Sequence, residues 1–179
     1  MREIAIAADL SPGNLYHYFR GKDEILFFCQ DRTLGRLLAA LAAARRGRQP
    51  LPARLADLAT AHILCLVDEV EGSAAHIEVD ALPARLRSQI VAKRDRYERG
   101  VRGLVAAGMR QGVLRATDAT IATRAFLGAL NWTAYWFRPD GPHSAQHVAA
   151  IVADFAISGL LNNDASTRLT HADRQRRAG

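Results

Sequence analysis

The sequence is short of several things, and each shortage closes a route. Two cysteines in 179 residues, Cys29 and Cys65, stand in no Cys-x-x-Cys or other ligand spacing. They are too few for a disulfide scaffold and read as small buried hydrophobes of a reducing compartment. Lysine is as scarce: Lys22 and Lys93 are the only two among 24 basic residues, the rest being arginine. No uncharged run approaches the ~20 residues of a membrane span, so no membrane partner is expected. The opening residues lack the basic segment and apolar run of a secretory leader, and a cytoplasmic location is expected. No stretch alternates apolar and polar residues over a useful length, which removes sheet architectures. There is no internal repeat and no low-complexity block.

Reactive constellations are missing too. His-Glu-x-x-His, Cys-x-x-Cys and the Glu-x-x-His pairs of di-metal bundles do not occur. Glu69, Glu71, Glu78 and Asp80 fall at helix ends and read as solvated carboxylates. No catalytic residue, metal site or cofactor is expected, and the chain does not read as an enzyme.

What is present is helical periodicity, a 49% hydrophobic content and a formal net charge of +6 with a pI of about 10.0. The charge fits an anionic partner such as DNA. The fold class is all-α. Residues 23–44 read as one helix, with Leu34, Leu37, Leu38 and Leu41 continuing a stripe begun by Ile25 and Leu26. Arg45 to Pro50 reads as an arginine-bearing surface loop. From Pro52 to about Glu69, Leu55, Leu58, Ala59, Ile63 and Leu66 share a face with His62, which is either a core or pocket-edge histidine or a ligand contact. Residues 74–81 form a short helix. The longest helix spans Pro83 to Gln111. Leu86, Ile90, Tyr97, Val101, Leu104 and Val105 line one side of it. Lys93, Arg94, Arg96, Arg99 and Arg102, interleaved with Asp95 and Glu98, read as an exposed, ion-paired face. Gly112 stops it. Residues 118–137 are apolar nearly all round and must be covered on several sides. In residues 145–162, Val148, Ile151, Val152, Phe155, Ala156, Gly159 and Leu160 keep helical spacing. Both helices are too apolar for a lone surface, and a symmetric pairing with a second copy would cover them.

One stretch points to a specific partner. Ser11 can cap a helix whose first turn takes Pro12. Leu15 and Phe19 fall on one face, Tyr16, His17 and Tyr18 crowd the rest, and Arg20-Gly21 breaks the helix. Ile4 to Leu10 precedes it as a small-residue helix ending in a tight turn. This is the build of a helix-turn-helix. The segment Ile4 to Leu26 resembles the DNA-binding domain of the TetR family of bacterial repressors. The resemblance is carried by Ile4-Ala5, Ala8, Leu10-Ser11, Leu15-Tyr16, Phe19 and Lys22-Asp23-Glu24-Ile25-Leu26. Asp9 replaces the usual turn glycine, and Tyr18 stands where a histidine is common, with His17 one place earlier.

The resemblance implies a helix-turn-helix domain over residues 1–22, a ligand-binding and dimerisation domain over 23–163, and a polar basic tail over 164–179. It implies operator DNA, a small-molecule effector and a homodimer through 118–137 and 145–162. Asn14 would read a base edge and Gly13 would permit close approach. Ser11, Tyr16, His17, Tyr18 and Lys22 would hold phosphates. Gly128 to Gly141 is similar to TetR members related to fatty-acid and sterol-degradation repressors, several of which sense acyl-CoA thioesters. That offers Asn131, Trp132, Tyr135, Trp136, His62 and Arg138 as ligand contacts, against the alternative of core and dimer packing for the aromatics. Arg94, Arg99 and Arg138 are the cations open to an acyl-CoA phosphate. A further helix precedes Ile4 in the TetR architecture, so Met1 is expected to be an internal or mis-called start. The alternative is a helical small-molecule-binding or dimerisation module with weak or no DNA binding.

Overall fold

A computed structural model describes residues 18–67 and 79–162. Those residues form five α-helices: α1 (Lys22–Arg46), α2 (Leu51–Val67), α3 (Ala84–Arg110), α4 (Ala119–Trp136) and α5 (Ala145–Ser158). A 3-10 turn, Val79–Ala81, precedes α3. Ser11, Gly13, Asn14, Tyr16 and His17, expected to contact DNA, lie outside the described residues, as does most of the short helix expected over 74–81.

Local chemistry sets the helix ends. Gly21 is the extended N-cap of α1, and the Glu24 carboxylate accepts from the Arg20 amide at 2.8 Å. Asp23 and Glu24 sit in the first turn and Arg45 and Arg46 in the last, the order the helix dipole favours. Arg45 and Arg46 therefore belong to the helix and not to the expected loop. Arg45 reaches the Gly100 carbonyl on α3 at 3.5 Å, which helps to hold that last turn. Asp118 caps α4 by accepting from the amides of Thr120 and Ile121, and Ser144 caps α5 through His147. Gly112 turns the chain after α3 with φ +69, a left-handed value that suits glycine.

Helix α5 stops at Ser158, four residues before the expected end, because the backbone groups just past it find other partners. The Arg115 guanidinium donates to the Gly159 carbonyl, and the Arg115 amide donates to Leu160 O at 3.0 Å. Leu161 pairs with Leu114 in an isolated antiparallel bridge. Asn162 donates to Val113 O from its backbone and to Gly112 O from its side chain. The end of α5 is thereby tied to the α3–α4 turn.

The core is built around α2, which packs against the other four helices. Leu55, Ala59 and Ile63 are wholly buried there and belong to one buried cluster with Ile90, Val101 and Val105 of α3 and Leu130 of α4, also wholly buried. Each large aliphatic side chain so buried is worth about 1.5–3 kcal/mol relative to exposure. Close approach requires glycine at Gly108, where a Cβ would stand 2.6 Å from Leu114 and 2.9 Å from Leu51.

The opposite surface of α4 and α5 is apolar and open. Ile121, Trp132, Ile151 and Phe155 are all more than half exposed. Among the described residues no helix is long and apolar enough to cross a membrane, and no group of three metal-ligating side chains assembles.

Candidate functional site

A cavity of about 340 Å³ lies between α1, α2, α3 and α4. Its walls follow from helical spacing. Leu34 and Leu37 face it from α1, His62 and Leu66 from α2, and Arg94, Tyr97 and Glu98 from α3. Helix α4 contributes Leu127, Asn131, Ala134 and Tyr135, positions that recur on one side of a helix. The result is an apolar chamber with a polar strip, at the lower end of the roughly 300–1,000 Å³ usual for ligand pockets.

The strip is a connected set. His62, 2% exposed, meets the Tyr97 hydroxyl through Nδ1 at 2.9 Å and Asn131 Oδ1 through Nε2 at 3.0 Å. Two buried polar side chains from different helices thus satisfy one another. Burial, with the charge of Cys65 second, pushes the Tyr97 phenol well above its ordinary value, so it stays protonated. Burial also draws the Arg94 guanidinium below its ordinary value, an effect partly opposed by Asp80. Glu98 has Arg102 at 3.5 Å, the favourable i,i+4 order expected from sequence.

The cavity is linked to the helix that leads towards the N-terminal segment. Leu34 and Leu37 belong to α1 itself. Next to Arg94 in sequence, Lys93 clasps Asp31 of α1 at 2.5 Å. At the start of α1, Phe19 packs edge-on to Phe28 with ring centroids 5.5 Å apart. Tyr18 and Lys22 are both exposed there.

Of the expected ligand contacts, His62, Asn131 and Tyr135 come together in the cavity. Trp132, Trp136 and Arg138 do not line it. They are exposed, with Trp132 stacked on Tyr135 at 4.8 Å. Of the three arginines open to a phosphate, Arg94 lines the cavity, whereas Arg99 and Arg138 do not. Arg94 is thus part of the cavity wall as well as of the charged helix face, with the Asp80 carboxylate acting on it. The residue that sequence reasoning missed is Tyr97, read only as part of an apolar stripe. A tyrosine and a histidine each set in an apolar stripe both need a polar partner, and that shared need was the available signal.

Comparison with known proteins agrees with this architecture. Residues 48–160 match the family model described as "Tetracyclin repressor-like, C-terminal domain". Residues 1–27 match the model of "Bacterial regulatory proteins, tetR family". The HTH-type transcriptional repressor KstR2 of Rhodococcus jostii (strain RHA1) is 30% identical over 171 residues, covering 90% of this chain and 81% of that protein. The TetR family regulator PfmR from Thermus thermophilus superposes with a TM-score of 0.75 at 33% identity, over 90% of this chain and 88% of that one. AibR, solved in complex with isovaleryl coenzyme A and operator DNA, shares the fold with a TM-score of 0.71 at 24% identity, over 89% and 85% of the two chains. With the C-terminal model spanning most of its length, the N-terminal model preceding it and a curated repressor aligned along nearly all of it, this all-helical chain belongs to the TetR family of bacterial transcriptional regulators.

Proposed function

We propose that the chain is a ligand-responsive repressor that binds operator DNA as a homodimer and is released when a small apolar effector fills the cavity between α1 and α4. The observation that carries this reading is that Leu34 and Leu37 of α1 form part of the cavity wall. An occupant pressing on those leucines acts directly on the helix that leads into the DNA-binding segment. Through the Lys93–Asp31 clasp it acts on the same helix a second time. Ligand binding shifts an operator equilibrium only as far as the two states differ in affinity, and a shared wall supplies that difference.

In this reading residues 1–22 are the reader, 23–163 hold effector and partner, and 164–179 form a tail. Asn14 contacts a base edge, and Gly13 permits close approach. Ser11, Tyr16, His17, Tyr18 and Lys22 fix the register on phosphates. The exposed apolar side of α4 and α5 is the dimer surface, with Trp132 and Trp136 at its edge. The effector has an apolar body and an oxygen-bearing head. An acyl-CoA thioester is the candidate, its acyl group inside and its nucleotide outside, because a chamber of about 340 Å³ suits the first and not the whole. The isovaleryl coenzyme A complex of AibR supports the capacity of this fold for such a ligand.

The test is fluorescence anisotropy of labelled DNA flanking the protein's own gene, titrated with protein and then with acyl-CoA thioesters of increasing chain length. Specific binding reversed by one chain-length class is the expected outcome. DNA binding indifferent to every thioester would remove the acyl-CoA assignment. Absence of specific DNA binding would remove the repressor reading.

A further inference from the structure

The hydrogen-bond order in the polar strip is fixed by its most buried end. Tyr97 is 4% exposed, and His62 Nδ1 is its hydrogen-bond partner among the described residues. A hydroxyl proton left without an acceptor in the core is costly, so the Tyr97 O–H donates and Nδ1 accepts. Neutral imidazole carries one N–H, which must then be on Nε2. Nε2–H donates to Asn131 Oδ1. The amide oxygen is turned to the imidazole by that bond, which directs the amide NH2, the donor end of Asn131, to the cavity it lines.

We propose that Asn131 is the specificity-determining residue of this cavity, held by the Tyr97–His62 relay so that its NH2 donates to a carbonyl or carboxylate oxygen on the bound molecule. This deepens the effector reading and rests on it for the use of the site. Tyr97 and His62 are positioning residues: neither supplies the contact, but together they forbid the amide from turning round. The shared chemistry is an oxygen acceptor on a short apolar body. A free carboxylate and a thioester carbonyl both meet it. The guanidinium of Arg94 in the same wall adds a second donor, and the Glu98 carboxylate that also lines it is paired with Arg102 at 3.5 Å.

Two measurements on the full chain test this. The first needs no ligand. Nitrogen-15 spectra of histidine-labelled protein, assigned by His62→Phe, should show His62 as the Nε2–H tautomer. The Nδ1–H tautomer would overturn the relay. The second compares hexanoate, hexanoyl coenzyme A and hexylamine by calorimetry. Wild type should bind at least one of the two acceptor probes about tenfold or more tightly than the amine, the scale of one well-placed hydrogen bond. Asn131→Asp keeps an oxygen for Nε2–H but turns an acceptor to the cavity, so the order should reverse in favour of hexylamine. Asn131 is exposed at the cavity mouth, and its replacement leaves the core untouched. Tyr97→Phe should narrow the discrimination, because the imidazole and then the amide are free to turn.

Preference for hexanoate alone would assign the oxygen to a free acid, and preference for the thioester alone to an acyl carbonyl. Either supports the proposal. An unchanged order in Asn131→Asp, or failure of both acceptor probes to bind wild type, overturns it. Binding with the expected reversal but no release of DNA would count against the effector reading and leave the role of Asn131 standing.

Discussion

Replacing Phe155 by glutamate should split the proposed homodimer. Phe155 is 77% exposed on α5, beside Ile151 and across from Ile121 on α4. A phenylalanine carries of the order of 200 Å² of surface, so about 150 Å² is open to a partner. At about 25 cal/mol per Å² its burial is worth about 4 kcal/mol in each copy. A two-fold interface uses the residue twice, which doubles the figure to about 8 kcal/mol. Association itself costs roughly 4–15 kcal/mol, so only part of that gain reaches the measured affinity. If half is lost on substitution, the dissociation constant rises about a thousandfold. Glutamate adds the desolvation of a carboxylate in each copy. Sedimentation velocity at micromolar concentration should show dimers for wild type and monomers or aggregates for Phe155→Glu, with far-UV circular dichroism unchanged for the monomer. A wild type that sediments as a monomer, or a Phe155→Glu variant that stays dimeric, would refute the assignment of this face.

Three other substitutions test other parts of the chain. Lys22→Ala should weaken operator binding equally for all sequences and lower the salt slope by about one counterion per half-site, read from anisotropy at several salt concentrations. Gly108→Ala places a methyl group against Leu114 and Leu51 and should cost about 1–3 kcal/mol in urea denaturation. Asp118→Ala removes the acceptor for two amides at the start of α4 and should cost about 1 kcal/mol by the same measurement.

The helices were legible because their apolar residues recur with the helical period, and α4 and α5 also begin at capping side chains. Asp118, Ser144 and Gly112 mark boundaries within a residue or two of those observed. The end of α5 was not legible, because it depends on Arg115 and Leu114, far away in sequence. Periodicity also says which residues share a face but not what covers that face. Asn131 and Tyr135 turn to His62, while Trp132, a single step of about 100° from Asn131, turns away. No local signal separates Arg94 from Arg99 on one charged helix. The choice is made by where α1 and α4 close over α3.

The two tryptophans of the chain, Trp132 and Trp136, are both on α4. Trp132 is stacked on Tyr135, which itself lines the cavity. Intrinsic emission therefore reports a single helix, and one end of it. An occupant that shifts the Tyr135 ring changes what Trp132 touches, whereas the segment proposed to dock on DNA carries no tryptophan. The protein thus carries a built-in optical probe beside its chamber, so occupancy of the chamber can be followed without adding a label.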